Sequence, residues 1–346
     1  MRFGVAVPTC VEGMVYPLPF GNHDDILHIA TEAENLGYQS ILVNDHLSTQ
    51  QYVRDTFSTP PRYYEPLVTL AWLAGSTSQI RLMTGVIVLP MRDPVLLAKQ
   101  VSSLDHISGG RITLGVGVGG YREEFEAVRP DLKHVRRADL VAEGLQALRI
   151  LFRERRGSMD GELVGFDDVE MYPKPVQDPL PIYSSGNADG SLRRAAQLCD
   201  GWIPAGMPMA RLQEMIHMLT SYAQEVDRSP DEISIAPQYV MCLGTTKEGA
   251  EQAFRQSQVH EHLVSLRKST LKNQAIDTFV PNNLIGTPDD VAGRVSELAD
   301  LGVSELAGMI VVADTPGEVI EQMQMFASEV MPAFAGTGGS NSSEVK

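Results

Sequence analysis

Cysteine is scarce in this chain of 346 residues, which contains only Cys10, Cys199 and Cys242. The number is odd, the three residues lie far apart, and they form neither a CxxC pair nor a metal-binding spacing. Disulfide bonds and a bound metal are therefore not expected. A reducing compartment fits this pattern, and we expect a cytoplasmic protein.

Long apolar runs and positive charge are also in short supply. The longest apolar stretch, residues 67–74, is far too short to cross a bilayer, and the chain enters an apolar segment at Phe3 without a charged leader. Lysine and arginine number 28 against 44 acidic residues, which gives a net charge of -16 that no basic run offsets. Since such a chain repels a phosphate backbone, neither nucleic acid nor a membrane is an expected partner.

What the sequence does contain is a series of buried-type strands that alternate with helices. The predicted strands cover residues 3–8, 40–44, 81–89, 112–117, 181–184, 201–204, 233–243 and 305–312. Helical periodicity lies between nearly all of them, as in the shared face of Ile26, Ile29 and Ala33. Eight such βα units predict a closed (β/α)8 TIM barrel as one domain over residues 1–335, followed by a Gly/Ser-rich, disordered tail over 336–346. A doubly wound open sheet is the alternative topology.

Two predicted strands in residues 81–120 carry glycines at unusual positions. Gly85 interrupts the first strand, where a bulge or a close backbone approach is expected. The second strand, ITLGVGVGG, ends in glycines, so its backbone can approach a ligand with no Cβ in the way. These glycines also satisfy the dinucleotide fingerprint GxGxxG, but they follow the fourth strand rather than the first. A Rossmann interpretation is therefore disfavoured.

Polar residues follow two other predicted strands. Asp45 and His46 close the second strand, and in a barrel the C-terminal strand ends form the active-site face. Histidine titrates near neutrality and can move a proton beside a redox centre, while a neighbouring carboxylate can orient the ring or a cofactor. The alternative is a loop-capping aspartate beside an incidental histidine.

The segment SSGN, residues 184–187, follows another predicted strand and precedes a helix. It predicts an anion site there, or else an ordinary capped turn.

Three segments of the chain resemble the luciferase-like monooxygenase superfamily, especially its coenzyme F420-dependent oxidoreductases. They are AENLGYQSILVNDH (residues 33–46), MTGVIVLPMRDPVLLAKQVSSLDHISGGRITLGVGVGGYREEF (83–125) and IYSSGNADGSLRRAAQLCDGW (182–202). Together they extend from the first predicted helix to the sixth predicted strand. The resemblance implies the same barrel fold.

The resemblance also implies roles for individual residues. In that superfamily the Asp-His pair lies against a flavin-type ring, so Asp45 is expected to bind the cofactor and His46 to be catalytic. A non-prolyl cis peptide backs the ring, and the resemblance places it between Gly85 and Val86. The cofactor phosphate is expected at the following residues: Gly117, Gly119, Ser184, Ser185, Gly186, Asn187 and Arg193.

The function that the resemblance implies is F420-dependent hydride transfer at the deazaflavin C5, with His46 as the proton relay and F420 as the cofactor. An FMN-dependent monooxygenase on the same scaffold is the first alternative, and a non-catalytic flavin-binding protein is the second. The superfamily typically forms homodimers, and the apolar helix LVTLAWLAG is a candidate interface.

The expected substrate is a small apolar or amphipathic molecule. Three long segments, residues 9–22, 47–65 and about 260–287, carry apolar and aromatic side chains that suit the lining of such a pocket. Gln50 and Gly120 stand where the sugar-phosphate dehydrogenase branch carries Trp and Glu, which disfavours a sugar phosphate.

Three further predictions concern charged residues. The acidic tail of F420 requires basic residues near the barrel mouth, for which Arg122, Arg193 and Arg194 are the candidates. His260 and His262 diverge at i and i+2 of a helix, so they are interpreted as solvated surface rather than a metal site. Arg136 and Arg137 are interpreted as an exposed helix start.

Overall fold

A computed structural model describes residues 1–267, 271–272 and 274–335 of the chain. The predicted tail, residues 336–346, lies outside the described residues. The strands of the described part are β1 Arg2–Ala6, β2 Ser40–Val43, β3 Arg81–Thr84, β4 Ile87–Val88, β5 Ile112–Gly117, β6 Gly157–Asp160, β7 Gly165–Val169, β8 Ile182–Ser185, β9 Gly201–Ile203, β10 Ser234–Ile235, β11 Val240–Leu243, β12 Leu284–Gly286 and β13 Glu305–Val311.

The α-helices of the described part lie mostly between these strands. They are α1 His23–Asn35, α2 Gln51–Thr56, α3 Pro66–Ala74, α4 Pro94–Ser108, α5 Arg122–Val128, α6 Arg137–Arg153, α7 Asp189–Leu198, α8 Met209–Gln224, α9 Lys247–Gln256, α10 Gln258–Leu266, α11 Pro288–Asp300 and α12 Pro316–Glu329. None of the helices in the described ranges combines the length and the apolar character needed to cross a membrane.

The parallel strands curl into a closed barrel. Their order is β10, β9, β8, β5, β3, β2, β1, β13, β11, β12, and β4 pairs with β5. The backbone between β10 and β11 closes the ring onto β13, because Ala307 N donates to Pro237 O at 3.1 Å and Ile310 N donates to Tyr239 O at 2.8 Å. The segments β10 and β11 are therefore two parts of the seventh predicted strand. The predicted (β/α)8 barrel is confirmed, and the open-sheet alternative is wrong.

Two apolar layers stabilise the barrel. Outside the ring, the predicted face of α1 is buried against the strands through Ile26, Ile29 and Ala33. Inside the ring lies a small cluster of buried side chains: Ala6, Leu42, Met83, Tyr183, Ile203, Ala236 and Ala307. The interior is so tight that a Cβ on Gly115 would lie 2.1 Å from the backbone oxygen of Thr84. Glycine at that position is thus required by close backbone approach.

Two of the three long segments contain more regular structure than predicted. Residues 47–65 contain α2, and residues 260–287 contain most of α10 and all of β12. Arg62 joins the first two segments, because its Nη2 lies 2.5 Å from Glu12 Oε1 and its backbone N donates to Glu12 Oε2 at 2.8 Å. A separate exposed hairpin, formed by β6 and β7, precedes the fifth strand of the barrel.

Candidate active site

His46 lies just beyond β2, at the C-terminal end of the barrel, and is oriented by a buried carboxylate. Its Nδ1 is 2.8 Å from Glu124 Oε2, and the other carboxylate oxygen accepts from Leu47 N at 2.6 Å and Ser48 N at 3.2 Å. Burial alone would raise the pKa of Glu124, yet the hydrogen bonds from His46 and these backbone groups lower it below its ordinary value. An ionised Glu124 can only accept, so Nδ1 of His46 carries the proton.

The amide of Gln50 completes this arrangement. Gln50 Nε2 lies 2.9 Å from His46 Nδ1, but both atoms are donors once Glu124 is ionised, so the amide donates instead to Glu124 Oε2 and Ser48 O, each at 3.3 Å. Tyr63 donates its hydroxyl hydrogen to Gln50 Oε1 at 3.0 Å. This network leaves Nε2 of His46 without a partner among the described side chains.

Sequence reasoning missed Glu124. Its helix, α5, also carries Glu123 and Glu126, and nothing in the sequence distinguishes the one acid that points inward. Glu124 is 4% exposed, whereas Glu123 is exposed and Glu126 is half-buried. The pairing becomes visible only when α5 is placed against the segment that follows β2.

Asp45 does not face the same space as His46. Its buried carboxylate lies 2.5 Å from Arg92 Nη2 and accepts from Val88 N at 2.9 Å, while Arg92 Nη1 binds Glu65 at 2.6 Å. These partners occupy both oxygens of Asp45. Asp45 thus fixes β4 and the segment before α4, which lie beside the site. Its contact with the cofactor stays a prediction.

The predicted ring-backing peptide has the expected form. The bond between Gly85 and Val86 is cis, which confirms the prediction. A Cβ on Gly117 would lie 2.9 Å from Val86 Cγ2 and 3.6 Å from Ser185 Cβ. The fold thus brings Val86, Gly117 and Ser185 together although they are distant in sequence. Asn44 donates to the carbonyl oxygen of Gly85 at 2.9 Å and joins this group to β2.

The turn after β8 offers backbone donors rather than hydroxyl donors. The hydroxyls of Ser184 and Ser185 donate to Ser191 O at 3.2 Å and Ile203 O at 2.9 Å. The Asn187 side chain accepts from Ala205 N at 2.9 Å. Within the described ranges, no acceptor binds the backbone N–H groups of residues 187–190. These groups surround the N-terminus of α7, where the helix dipole favours an anion.

A cavity of about 830 Å³ lies between this turn and the glycines that follow β5. Its walls include Gly119, Gly186 and Asn187, as well as three cationic residues: Arg137, Arg211 and Lys272. Arg137 is half-buried and donates to Val118 O and Gly119 O, each at 3.0 Å. The prediction that Arg137 is an exposed helix start is therefore wrong, although Arg136 is exposed.

The predicted basic residues lie elsewhere. Arg193 binds Asp189 at 3.0 Å and Glu225 at 3.6 Å, and its guanidinium stacks 3.9 Å from the ring centre of Tyr222. Among the described residues, neither Arg193 nor Arg122 or Arg194 lines the cavity. Arg193 therefore lies outside the described lining of this cavity, and its contact with the phosphate stays a prediction.

A second, smaller cavity of about 110 Å³ contains His46. Most of its lining is apolar, for example Val11, Met14 and Phe279, and the described lining residues include no lysine, arginine, aspartate or glutamate. His262 also lines this cavity, so the prediction that it is solvated surface is wrong. The cavity therefore suits an uncharged, mostly apolar molecule.

Comparisons with known proteins show which proteins this chain is similar to. A family model described as "Luciferase-like monooxygenase" matches residues 1–331. An uncharacterized protein of Mycobacterium tuberculosis is 32% identical over 182 residues, which are 49% of this chain and 64% of that relative, so the chain spans less than two thirds of the relative's length. An F420-dependent glucose-6-phosphate dehydrogenase of Kineococcus radiotolerans is 25% identical over 320 residues, 88% of this chain and 90% of that one.

A solved structure shows the same fold. The monooxygenase RslO1 from Streptomyces bottropensis superposes with a TM-score of 0.79 at 23% identity, and the alignment covers 97% of this chain and 100% of that one.

Proposed function

Because this chain belongs to the luciferase-like monooxygenase family, we propose that it is an F420-dependent oxidoreductase acting on a small apolar or amphipathic substrate. The observation that carries the proposal is the contact of His46 Nδ1 with the buried carboxylate of Glu124 beside an apolar cavity. This contact fixes the ring of a residue that can transfer protons. A protein that only stored a flavin would not require it.

The residues of the site fit a tricyclic cofactor with a phosphate-bearing chain. Val86, Gly117 and Ser185 form a cradle in which a Cβ at Gly117 would clash with Val86, and the cavity of about 830 Å³ begins beside it. The N–H groups of residues 187–190 at the N-terminus of α7, for which the described residues offer no acceptor, suit the phosphate. Arg137, Arg211 and Lys272 suit the acidic tail of F420, which would otherwise meet a chain of net charge -16.

The chemistry divides between cofactor and chain. Bound F420 would supply or accept the hydride at the deazaflavin C5. The chain would hold the ring against the Gly85–Val86 peptide and exclude water with the apolar lining of the smaller cavity. His46 would take or give the accompanying proton at Nε2, since Glu124 holds the proton on Nδ1.

Titration of the apoprotein with F420 and FMN, oxidised and reduced under anaerobic conditions, tests the cofactor. We expect micromolar F420 affinity that weakens as salt is raised. Tight FMN binding without detectable F420 affinity would contradict the proposal and favour an FMN-dependent monooxygenase.

Two arginines provide a matched pair for this titration. The side chains of Arg211 and Arg193 are 46% and 47% exposed, each pairs with an acid on its own helix, and only Arg211 lines the larger cavity. Arg211→Gln is expected to weaken F420 binding about tenfold, a Coulombic loss of roughly 1.4 kcal/mol. Arg193→Gln, which changes the net charge equally, is expected to leave the affinity unchanged. An equal loss in both variants would place the tail elsewhere.

Replacing His46 tests the proton transfer. His46→Ala is expected to keep the cofactor affinity within about tenfold and to lower turnover roughly 100-fold or more, which is the usual scale for a positioned acid or base. Turnover is measured with whichever compound the wild-type protein converts fastest. Unchanged turnover would remove His46 from the mechanism.

A further inference from the structure

A second histidine in the smaller cavity has no part in the chemistry described so far. His262 belongs to α10 and lines the cavity together with His46. Its Nδ1 lies 3.2 Å from the hydroxyls of both Tyr52 and Tyr121. None of the described residues forms a hydrogen bond with its Nε2. The rest of the cavity wall is mostly apolar.

The hydrogen bonds around Nδ1 determine which nitrogen of His262 carries the proton. Ser265 donates its hydroxyl hydrogen to His262 O at 2.7 Å, so its Oγ is free to accept from the Tyr121 hydroxyl at 3.0 Å. The remaining phenol, Tyr52, then donates to His262 Nδ1. With this direction each hydroxyl hydrogen of the group has an acceptor within 3.2 Å. A proton on Nδ1 would deprive the Tyr52 hydroxyl of this acceptor, and its contact with Tyr121 is longer, at 3.4 Å.

An imidazole that accepts at Nδ1 carries its proton on Nε2 when it is neutral. Burial and the nearby His46 ring lower the pKa of His262 to about 3, so the ring stays neutral at physiological pH. His262 is therefore a hydrogen-bond donor of fixed direction and no charge.

We propose that Nε2–H of His262 binds the oxygen of the substrate, and that the substrate is an uncharged compound with a carbonyl or comparable acceptor oxygen on an apolar skeleton. The proposal deepens the proposed function and rests on it, because the cavity must be the substrate site. A buried donor discriminates strongly, since a ligand without an acceptor leaves the N–H unpaired.

The rest of the cavity sets the charge of the ligand. Its described lining contains no cationic side chain that could neutralise a phosphate or carboxylate, and a neutral His262 cannot do so. The cations Arg137, Arg211 and Lys272 line the other cavity. An anionic substrate would therefore lose its hydration without compensation.

The tautomer can be measured without any ligand. Long-range ¹⁵N–¹H correlations of the full chain labelled with ¹⁵N-histidine distinguish the two neutral forms, and His262→Gln assigns the signal. We expect the proton on Nε2 and no titration between pH 8 and pH 5, because the pKa lies near 3. A proton on Nδ1, or a titration in this range, would overturn the proposal.

An isosteric ligand pair then tests the recognition. Cyclohexanone and methylenecyclohexane differ only in a carbonyl oxygen in place of a CH₂ group, and their binding is compared with and without bound F420. The wild-type protein is expected to prefer the ketone about tenfold, the value of one hydrogen bond of roughly 1.4 kcal/mol. His262→Phe is expected to abolish the preference, and His262→Gln, which keeps an N–H donor, to retain part of it.

His260 provides the matched control on the same helix. Neither of its ring nitrogens has a hydrogen-bond partner among the described residues, and its ring packs edge-on against Phe254 and Phe279. Among the described lining residues His260 is absent, so His260→Phe is expected to leave the ketone preference intact. Equal binding of the two ligands by the wild-type protein would overturn the proposed recognition. That result would leave the F420 titration and the His46→Ala result unaffected, so the two proposals fail separately.

Discussion

Glu124 is the residue on which the orientation of His46 depends. A carboxylate that is 4% exposed loses most of its hydration, and that loss must be compensated by donors inside the protein. The structure supplies His46 Nδ1 and the backbone N–H groups of Leu47 and Ser48. The same contacts that stabilise the charge therefore fix the histidine tautomer.

Replacing this carboxylate by an amide has a pH-dependent effect on stability. Glu124→Gln is expected to lower the unfolding free energy by about 1–3 kcal/mol at pH 7, the value of hydrogen bonds to a charged group. The folded pKa lies below the ordinary value of 4.5, so the stabilisation is complete above that pH and is lost as pH falls through the folded pKa. The difference between variant and wild type should therefore shrink below pH 4.5.

Urea unfolding of both proteins at pH 7, 5 and 3.5 measures this effect. Glu123→Gln is the control, since Glu123 is exposed and accepts a single backbone hydrogen bond from Gln51 at 2.8 Å. It should change stability by less than about 0.5 kcal/mol. The same loss for Glu124→Gln at all three pH values would contradict the assignment of the charge.

The site residues could be located from the sequence only to the level of a strand end. Asp45 and His46 both follow β2, and the family resemblance led to the prediction that both face the cofactor. Successive residues of an extended chain, however, point to opposite sides. His46 accordingly lines the cavity, and Asp45 points to Arg92. The pairing of Glu124 with His46 could not be predicted from the sequence, since it depends on how α5, a helix of another βα unit, packs against the segment after β2.

At the level of elements, the third predicted strand is broken at residues 85–86 into β3 and β4, which pair differently with their neighbours. β3 pairs with β2 and β5, whereas β4 pairs with β5 only. Between them, Gly85 sits directly over Leu42, one of the buried side chains inside the barrel. A side chain of the barrel core thus packs directly against the backbone at the break.

Gly85→Ala is expected to destabilise the protein by about 1–3 kcal/mol, the cost of overpacking a closed core. The added Cβ would lie 2.3 Å from Leu42 Cδ1, and Leu42 is fully buried. The double variant Gly85→Ala/Leu42→Ala should show a favourable coupling energy, because the smaller side chain removes the clash. Thermal or urea unfolding gives all three values.

Gly293→Ala is the control for this series. Gly293 lies in α11, is exposed, and a Cβ there would meet nothing within 4 Å. This variant should gain about 0.5–1 kcal/mol from helix propensity. Additive effects of the Gly85 and Leu42 changes would show that the clash is relieved in some other way.

The elements themselves were predicted well where the pattern is long and poorly where it is short. The eight strands that close the ring were predicted, because a buried parallel strand is a continuous apolar run. The six-residue α2 and three-residue β12 were missed, since such lengths are too short to show a period. Both depend on tertiary contacts, since β12 pairs with β11 and the backbone of Gln51 in α2 donates to Glu123 at 2.8 Å.

On the scale of the whole molecule, charge is distributed unevenly. The chain carries a net charge of -16, yet three cations line one cavity at the C-terminal end of the barrel. The sequence analysis named Arg122, Arg193 and Arg194 as the candidate basic residues, whereas the described cations that line the cavity are Arg137, Arg211 and Lys272. Arginines on helix faces find acids at i+3 or i+4, as Arg122 does with Glu126 at 2.6 Å, and only the tertiary structure identifies those that reach a cavity.

The outer surface carries an apolar area that is expected to form a dimer interface. Val68 and Trp72 lie one turn apart on α3 and are 69% and 37% exposed, and Leu96 on the neighbouring α4 is 57% exposed. Apolar side chains of this size on adjacent helices are typical of surfaces that bind another chain. We expect a homodimer that buries this area, with the same patch contributed by both copies.

Light scattering at micromolar concentration measures the mass of the particle, and the expected value is twice that of the 37.8 kDa chain. Val68→Glu should shift the equilibrium toward the monomer by at least tenfold, because two carboxylates would be buried at a twofold interface without partners. Val226→Glu is the control, since Val226 is 41% exposed and follows α8 on another part of the barrel. A wild-type monomer would contradict the prediction, and dissociation by the Val226 variant alone would move the interface to α8.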